Sequence, residues 1–208
     1  MSQYAMVVEV DRCIGCKGAC QIACKTEHGI SLGRSRSTLY TMGPTGTFPD
    51  LEMYFLPVMC QQCKDPACAA VCPTGACVKR DEDGVIVIDT DVCIGCGSCI
   101  RACPFHCNSL NREMRVSDKC TLCMERRKEG LTPACVQNCA GDALHVGDID
   151  DPESEVSKLL AANEGYVYTL PDKEGNGPSN RYILKNDRWI DVMPYEFEKM
   201  LKEGTWNE

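Results

Sequence analysis

Cysteine spacing constrains this chain more than any other feature of its sequence. Sixteen of its 18 cysteines fall into four groups of four, and most neighbours within a group are separated by two to four residues. Side chains at such spacings can converge on one centre. A chain of 208 residues must also bury enough material to offset the entropy lost on folding. We therefore expect groups bound to the sulfur atoms to fill part of the interior.

Three classes of protein use cysteine this heavily: disulfide scaffolds, structural zinc proteins and iron–sulfur proteins. Disulfide scaffolds are usually short secreted domains, whereas this sequence begins without a basic region, a long apolar stretch or twin arginines, so we expect no export signal. We interpret the groups as iron–sulfur ligands because their spacings fit that class best, with disulfides and zinc as the alternatives.

The four groups are of two alternating types. Groups one and three begin with Cys-Ile-Gly-Cys, at residues 13–16 and 93–96. Groups two and four contain Pro-Ala-Cys, followed by three residues and another cysteine, at residues 66–72 and 133–139. The alternation indicates an internal repeat and therefore two ferredoxin-like units.

Group three matches the bacterial run Cys-x2-Cys-x2-Cys-x3-Cys-Pro completely, and in that run the fourth cysteine binds the other cluster of a two-cluster unit. The other groups depart from it in spacing, most of all group four, which has eleven residues between Cys123 and Cys135. No departure removes a ligand, so we expect four [4Fe–4S] clusters. Gly15 and Gly95 would let the backbone approach the cluster, and Ile14 and Ile94 would shield it from water.

These motifs resemble those of the four-cluster iron–sulfur subunits of the molybdopterin oxidoreductase superfamily, which includes dimethyl sulfoxide reductase. The resemblance covers most of the chain, through VDRCIGC, CQQCKDPACAAVCPTGA, VIDTDVCIGCGSCIRACPF, KCTLCMERRKEG, PACVQNCAGDAL and GDIDDPESEVSKLL. It implies a nested pairing, group one with group four and group two with group three. The residues alone do not favour this over sequential pairing.

Under the nested pairing that the resemblance implies, each cluster takes three cysteines from one group and one from the partner group. We number the resulting ligand sets as sites 1 to 4. Site 1 is Cys13, Cys16, Cys20 and Cys139; site 2 is Cys120, Cys123, Cys135 and Cys24; site 3 is Cys60, Cys63, Cys68 and Cys103; site 4 is Cys93, Cys96, Cys99 and Cys72.

The repeat and the resemblance together predict an α+β fold of two bacterial-ferredoxin-like units with nested motif pairing. Unit one would comprise residues 1–25 and 117–150, and unit two residues 58–116. Residues 26–57 would form an inserted loop or ribbon, and residues 151–208 a C-terminal extension that docks on a partner.

Local patterns predict several elements within these units. An Asp-Gly turn between apolar runs predicts a hairpin over residues 77–89. Asp151 and Pro152 predict the capped start of an amphipathic helix, with the proline in its first turn. Strands are expected at 166–170 and 181–184, and a last helix at 194–202, where Tyr195, Phe197, Met200 and Leu201 would dock on a partner or pack in the core.

Some residues near the groups have no assigned ligand role. We expect Cys77 and Cys107 to be buried free thiols near the clusters, with redox activity or alternative ligation left open. His28, His106 and His145 are isolated and are expected at the surface or around a cluster. Five basic residues beside the ligands would either raise cluster potentials or form an ordinary solvated face: Arg12, Lys17, Lys25, Arg101 and Lys119.

Charge and hydropathy exclude two kinds of partner. With 30 acidic and 22 basic residues the formal net charge is −8, which opposes binding to a nucleic-acid backbone. The apolar stretches, such as residues 85–88, fall far short of the ~18 residues that a membrane span requires. We expect no nucleic-acid ligand and no direct membrane span.

The resemblance implies a non-catalytic electron-transfer subunit of an oxidoreductase complex. Its partner would be a molybdopterin-containing catalytic subunit in a hetero-oligomer, with a membrane-anchor subunit, a quinol-oxidising subunit or a soluble electron donor on the other side. Two alternatives stay open: a subunit of a hydrogenase or formate dehydrogenase, and a stand-alone soluble polyferredoxin. The location is either the extracytoplasmic face of the cytoplasmic membrane, after co-export with a partner, or the cytoplasm.

Overall fold

Short strands and helices connect the cysteine groups in residues 2–185, the part of the chain that this computed structural model describes. The strands are β1 Tyr4–Glu9, β2 Ser37–Thr47, β3 Asp50–Met59, β4 Cys77–Lys79, β5 Ile86–Ile88, β6 Asn108–Asn111, β7 Val116–Lys119, β8 Leu144–Asp148, β9 Val167–Tyr168 and β10 Arg181–Ile183. The helices are α1 Ala19–Glu27, α2 Ala67–Ala70, α3 Ser98–Arg101, α4 Met124–Lys128, α5 Ala134–Gln137 and α6 Glu155–Ala162. The mixture is α+β, as predicted; the helix expected at 194–202 lies outside the described residues.

Each cysteine group has the same local structure. Its third cysteine lies on a helix, namely α1, α2, α3 or α5, and its first two cysteines precede that helix. In groups two to four the helix is a single turn, and the fourth cysteine lies two residues after its end. In group one the helix is longer, so that Cys20 and Cys24 both lie on α1.

The helices of the groups pack in pairs. Helix α1 of group one contacts α5 of group four, and α2 of group two contacts α3 of group three. Strand β1, which leads into group one, pairs antiparallel with β8, which follows group four. Groups one and four are therefore neighbours in space, as are groups two and three.

The largest sheet combines both ends of the described chain. Its strand order is β8-β1-β10-β9, with β10 parallel to β1 and the other neighbours antiparallel. Val7 of β1, Val156 of α6 and Ile183 of β10 form a small buried cluster on one face of this sheet. The described part of the expected C-terminal extension, residues 151–185, therefore packs against the chain's own sheet.

The sequence located the helix after residue 150 correctly but not its start. Helix α6 begins at Glu155, and its cap is Ser154, whose Oγ accepts a hydrogen bond from the backbone N–H of Ser157 at 3.1 Å. Pro152 lies before the helix instead of in its first turn, because the serine hydroxyl provides the acceptor that the first turn needs. The strands expected at 166–170 and 181–184 correspond to β9 and β10.

Three hairpins separate the cysteine groups. Strands β2 and β3 form a long hairpin between groups one and two, with a buried base at Leu56 and Val58 and an exposed tip at Phe48. Strands β4 and β5 form the hairpin expected over 77–89, with Cys77 opposite Ile88. Strands β6 and β7 form a third, which the sequence analysis did not identify.

The main hydrophobic core includes sulfur ligands as well as apolar side chains. Met6, Leu56, Phe105 and Tyr182 are almost fully buried, and they share one core cluster with several cysteines of the four groups. Within residues 2–185, no helix has the length and apolar character of a membrane-spanning segment.

Candidate metal centres

Two cavities are each bordered by the four cysteines of one expected site. The cysteines of site 1 border one of these spaces, and those of site 4, together with Cys77, border the other. Both spaces are partly open to solvent. In each case three thiols come from one group and the fourth from the group whose helix packs against it.

The cysteines of sites 2 and 3 are also brought together. At site 2, Cys24 lies close enough to Cys120 and Cys123 for electrostatic interaction. At site 3, Cys63 interacts in the same way with Cys60, Cys68 and Cys103. All 18 cysteines are free of disulfide bonds. Among residues 2–185, no three His, Cys, Asp or Glu side chains converge as ligands of a single metal ion.

Backbone amides point at ligand sulfurs in all four sites, and at site 3 the N–H of Cys107 donates to the Cys103 sulfur. The N–H of Ala143 donates to Cys139 Sγ at 3.2 Å, and the N–H of Leu122 donates to Cys120 Sγ at 3.4 Å. In site 4, Cys72 and Cys93 each accept an amide hydrogen bond at 3.4 Å. Such bonds stabilise thiolates, which are the ligands that iron–sulfur clusters use. The donor sets therefore fit [4Fe–4S] clusters.

The third residue of every Cys-x-x-Cys loop lies in the left-handed region. Gly15 and Gly95 have φ values of 73° and 65°, and the equivalent Gln62 and Leu122 have 48° and 52°. Only the two glycines signal this conformation in the sequence, because glycine adopts positive φ without strain. Gln62 and Leu122 are fully buried, so their surroundings hold a conformation that their side chains disfavour.

Sites 1 and 4 lie at the surface and site 3 lies inside. Cys16 and Cys96 are exposed, whereas all four site 3 cysteines are buried. Ile14 and Ile94 border the spaces at sites 1 and 4 and are themselves 62% and 66% exposed, so their shielding of the clusters stays a prediction. They form apolar rims beside the two exposed cysteines.

The two cysteines outside the four groups lie against ligands of site 3. The Cys77 thiol hydrogen-bonds the Cys68 sulfur and thereby lowers the Cys68 pKa. Cys103 receives hydrogen bonds from the thiol and the backbone N–H of Cys107, and the thiol contact lowers the Cys103 pKa. The Cys107 thiol also lies 3.1 Å from the carbonyl oxygen of Met59. Cys77 is thus placed to donate to site 3, while the single proton of the Cys107 thiol has the carbonyl oxygens of Met59 and Phe105 as acceptors besides the Cys103 sulfur.

Burial raises the pKa of most of the other ligand thiols. It raises the pKa of both Cys20 and Cys120 to about 11. Without a metal these thiols are therefore protonated at neutral pH, and they release their protons when they become ligands.

Burial also lowers the pKa of His28, whose Nε2 lies 3.2 Å from Cys123 Sγ at site 2. His145 instead contacts Glu9, and His106 lines a surface pocket with Lys25.

Lys119 is the buried member of the five basic residues noted in the sequence. It is 1% exposed, and its ammonium contacts the Cys60 sulfur of site 3. Burial lowers its pKa, but its electrostatic interactions with Cys60 and Cys120 outweigh burial, so the pKa lies above the ordinary lysine value. Arg12, Lys17 and Arg101 are exposed, and Lys25 is partly exposed.

A segment near the end of the described chain supports the loop of group two. Asn180 Oδ1 accepts the Met6 N–H at 3.0 Å, and its Nδ2 donates to the Cys60 carbonyl at 3.1 Å. Asn176 Oδ1 accepts the Ala67 N–H at 3.0 Å. The sequence predicts none of these contacts, because no local pattern shows which distant loop an asparagine will contact.

Replacing Asn180 by alanine should destabilise the chain markedly. The substitution leaves the buried N–H of Met6 and carbonyl of Cys60 without partners, at a cost of about 1–3 kcal/mol for each group. We expect a clearly lower temperature of thermal unfolding, followed by circular dichroism. The exposed Glu174 lies in the same segment, and Glu174→Ala should change stability by about 0.5 kcal/mol or less. Equal effects of the two substitutions would contradict this role for Asn180.

Comparison with known proteins is consistent with this geometry. Residues 51–149 match the 4Fe-4S dicluster domain family. The chain is 35% identical to a putative iron-sulfur subunit of dimethyl sulfoxide reductase from Halobacterium salinarum, over 98% of this chain and 86% of the relative. It is 36% identical to a tetrathionate reductase subunit of Salmonella typhimurium, over 90% and 75%. It is 32% identical to the arsenate respiratory reductase iron-sulfur subunit of a Shewanella species, over 87% and 96%.

Proposed function

This chain belongs to the iron–sulfur subunits of the molybdopterin oxidoreductases, and from that premise we propose that it relays electrons through four [4Fe–4S] clusters to or from a molybdenum- or tungsten-pterin catalytic subunit. The chain itself would not transform a substrate. The names of its relatives do not favour the alternatives, a hydrogenase or formate dehydrogenase subunit or a free polyferredoxin.

We propose that the ligands are those of sites 1 to 4, in two ferredoxin-like units with nested pairing. The observation that carries this assignment is the pair of cavities, each bordered by all four cysteines of one site, three from one group and one from its partner group. The packing of α1 on α5 and of α2 on α3 supports the same pairing. Unit one would then combine residues 1–25 with 117–150, and unit two would span 58–116.

Contacts between ligand cysteines support a linear order of the sites from 1 to 4. Cys135 of site 2 interacts with Cys20 of site 1. Sites 2 and 3 approach through Cys120 and Cys60, and sites 3 and 4 approach through Cys68 and Cys99. An electron entering at one end would therefore pass each site in turn.

Bound clusters supply the one-electron chemistry, and the chain's residues determine where the electron can go. Burial separates site 3 from water, and the amide hydrogen bonds to Cys72, Cys93, Cys120 and Cys139 stabilise charge on those sulfurs. The exposed ends at sites 1 and 4 would be the faces for partners, with the apolar rims at Ile14 and Ile94 covered on docking. One partner would be the catalytic subunit, and the other a membrane-anchor or quinol-oxidising subunit or a soluble donor.

The test is electron delivery in the complex purified anaerobically from its native source, compared with a strain that lacks this chain. We expect the catalytic subunit without this chain to retain turnover with an artificial viologen donor and to lose turnover with the native donor. Complementation with the chain should restore the native reaction. Undiminished turnover with the native donor in the strain that lacks this chain would overturn the proposal.

A further inference from the structure

Site 3 is surrounded by three hydrogen-bond donors that come from outside its own ligand set. Lys119 contacts the Cys60 sulfur, Cys77 contacts the Cys68 sulfur and Cys107 contacts the Cys103 sulfur. Lys119 and Cys107 lie at the base of the β6–β7 hairpin, and Cys77 begins strand β4. Three of the four ligands at this site therefore have an additional donor.

Lys119 also joins site 3 to site 2. Its Nζ donates to the carbonyl oxygen of Ile86 and, at 3.2 Å, to the carbonyl oxygen of Cys120. Gln62, inside the first loop of site 3, bridges the same two residues: its Nε2 donates to the Cys120 carbonyl at 3.0 Å, and its Oε1 accepts the Ile86 N–H at 2.8 Å. The ammonium is thereby fixed at the junction of the two inner sites.

The position of this charge has an electrostatic consequence. Reduction adds one electron to a site, so the site gains one negative charge while no bond forms or breaks. Burial in a medium of low dielectric disfavours that added charge, whereas a nearby fixed cation and hydrogen bonds to the sulfurs favour it. Among residues 2–185, Lys119 is the one lysine or arginine that is buried, so it provides this cation for the interior.

Resting on the electron-transfer function proposed above, we propose that Lys119, Cys77 and Cys107 raise the reduction potential of site 3, and that Lys119 also raises that of site 2. The inner part of the relay then holds an electron more readily than its burial alone would allow. Cys77 and Cys107 act here as thiol donors to ligands and are not ligands themselves.

The experiment is a dithionite titration of the purified complex, with the midpoint potential of each centre followed by electron paramagnetic resonance. Lys119→Gln keeps a donor but removes the charge, and it should shift two of the midpoint potentials to more negative values. Cys77→Ala and Cys107→Ala should each shift the midpoint potential of one centre to a more negative value. That centre should be the same for both variants, and it should be one of the two that Lys119→Gln affects. Lys119→Arg keeps the positive charge and Cys77→Ser keeps a hydrogen-bond donor. Both variants should therefore have midpoint potentials close to those of the wild-type complex.

Surface charges provide the matched controls. Lys17 and Arg101 are exposed next to sites 1 and 4, so Lys17→Gln and Arg101→Gln should leave the two potentials affected by Lys119→Gln unchanged. The proposal is overturned if Lys119→Gln shifts no potential or shifts all four equally, or if the two thiol variants affect different centres. Lys119→Met provides a second neutral variant. If neither neutral variant binds iron while Lys119→Arg does, Lys119 serves assembly and the proposal is also overturned.

Iron content separates this proposal from the function on which it rests. Variants with full iron content and unchanged potentials would overturn the role of Lys119 alone. A wild-type complex without four [4Fe–4S] centres would instead overturn the proposed function.

Discussion

Replacing Cys24 and Cys123 together by alanine should remove one [4Fe–4S] centre, whereas replacing Cys24 and Cys63 together should remove two. Under nested pairing Cys24 and Cys123 are both ligands of site 2, while Cys63 belongs to site 3. Under sequential pairing, Cys24 would instead complete the cluster of group two, and the two results would be exchanged. The two double variants therefore distinguish the pairings by opposite outcomes.

The measurement is iron content together with the integrated signal of the reduced centres. We expect about twelve irons per chain for Cys24→Ala with Cys123→Ala, and about eight for Cys24→Ala with Cys63→Ala. Cys77→Ala is the control, because the removed thiol is not a proposed ligand, and it should retain about sixteen. About eight irons in the first double variant and about twelve in the second would establish sequential pairing and overturn the ligand sets proposed above.

The second large effect concerns the close approach of two loops at site 4. Gly95 lies between Cys93 and Cys96 with φ of 65°, and a Cβ added there would overlap the carbonyl oxygen of Arg115. Because the obstructing atom is backbone, the loop itself must move. We expect Gly95→Ala to eliminate the site 4 centre and to destabilise the chain by more than the ~1–2 kcal/mol that a left-handed conformation alone costs an alanine.

A matched glycine separates steric clash from backbone strain. Gly75 has φ of 70°, but a Cβ there would meet nothing within 4 Å. Gly75→Ala should therefore cost only ~1–2 kcal/mol and leave all four centres in place. Iron content and thermal unfolding of both variants provide the check. If Gly95→Ala keeps every centre and is no less stable than Gly75→Ala, the close contact with Arg115 has no role in forming site 4.

Local sequence patterns were sufficient for some parts of the fold. The cysteine groups identified the cluster type, and the Asp-Gly turn identified the hairpin β4–β5, because both depend on residues close together in the chain. The family and the electron-transfer function expected from the motifs agree with the similarity to known iron-sulfur subunits. The ligand sets stay a prediction that the double variants can test.

Other features depend on contacts between distant segments and had no local signal. Strand β1 has a continuous buried run because it pairs with β8 on one side and β10 on the other, and the sequence shows neither partner. Gln62 gives no sign in the sequence of its positive φ, which its hydrogen bonds to Ile86 and Cys120 support. The contact of Asn180 with the Cys60 loop spans 120 residues. No pattern of spacing or propensity could reveal such a contact.

Elemental analysis of the complex purified anaerobically from its native source tests the four-cluster relay and its pterin partner together. We expect about sixteen irons per copy of this chain from its own four clusters, about one molybdenum or tungsten in the complex, and no stoichiometric zinc. Iron that the partner subunits contribute can be subtracted by analysing this chain separated from them. About sixteen irons without molybdenum or tungsten would contradict the pterin partner, and zinc in place of iron would contradict the cluster assignment itself.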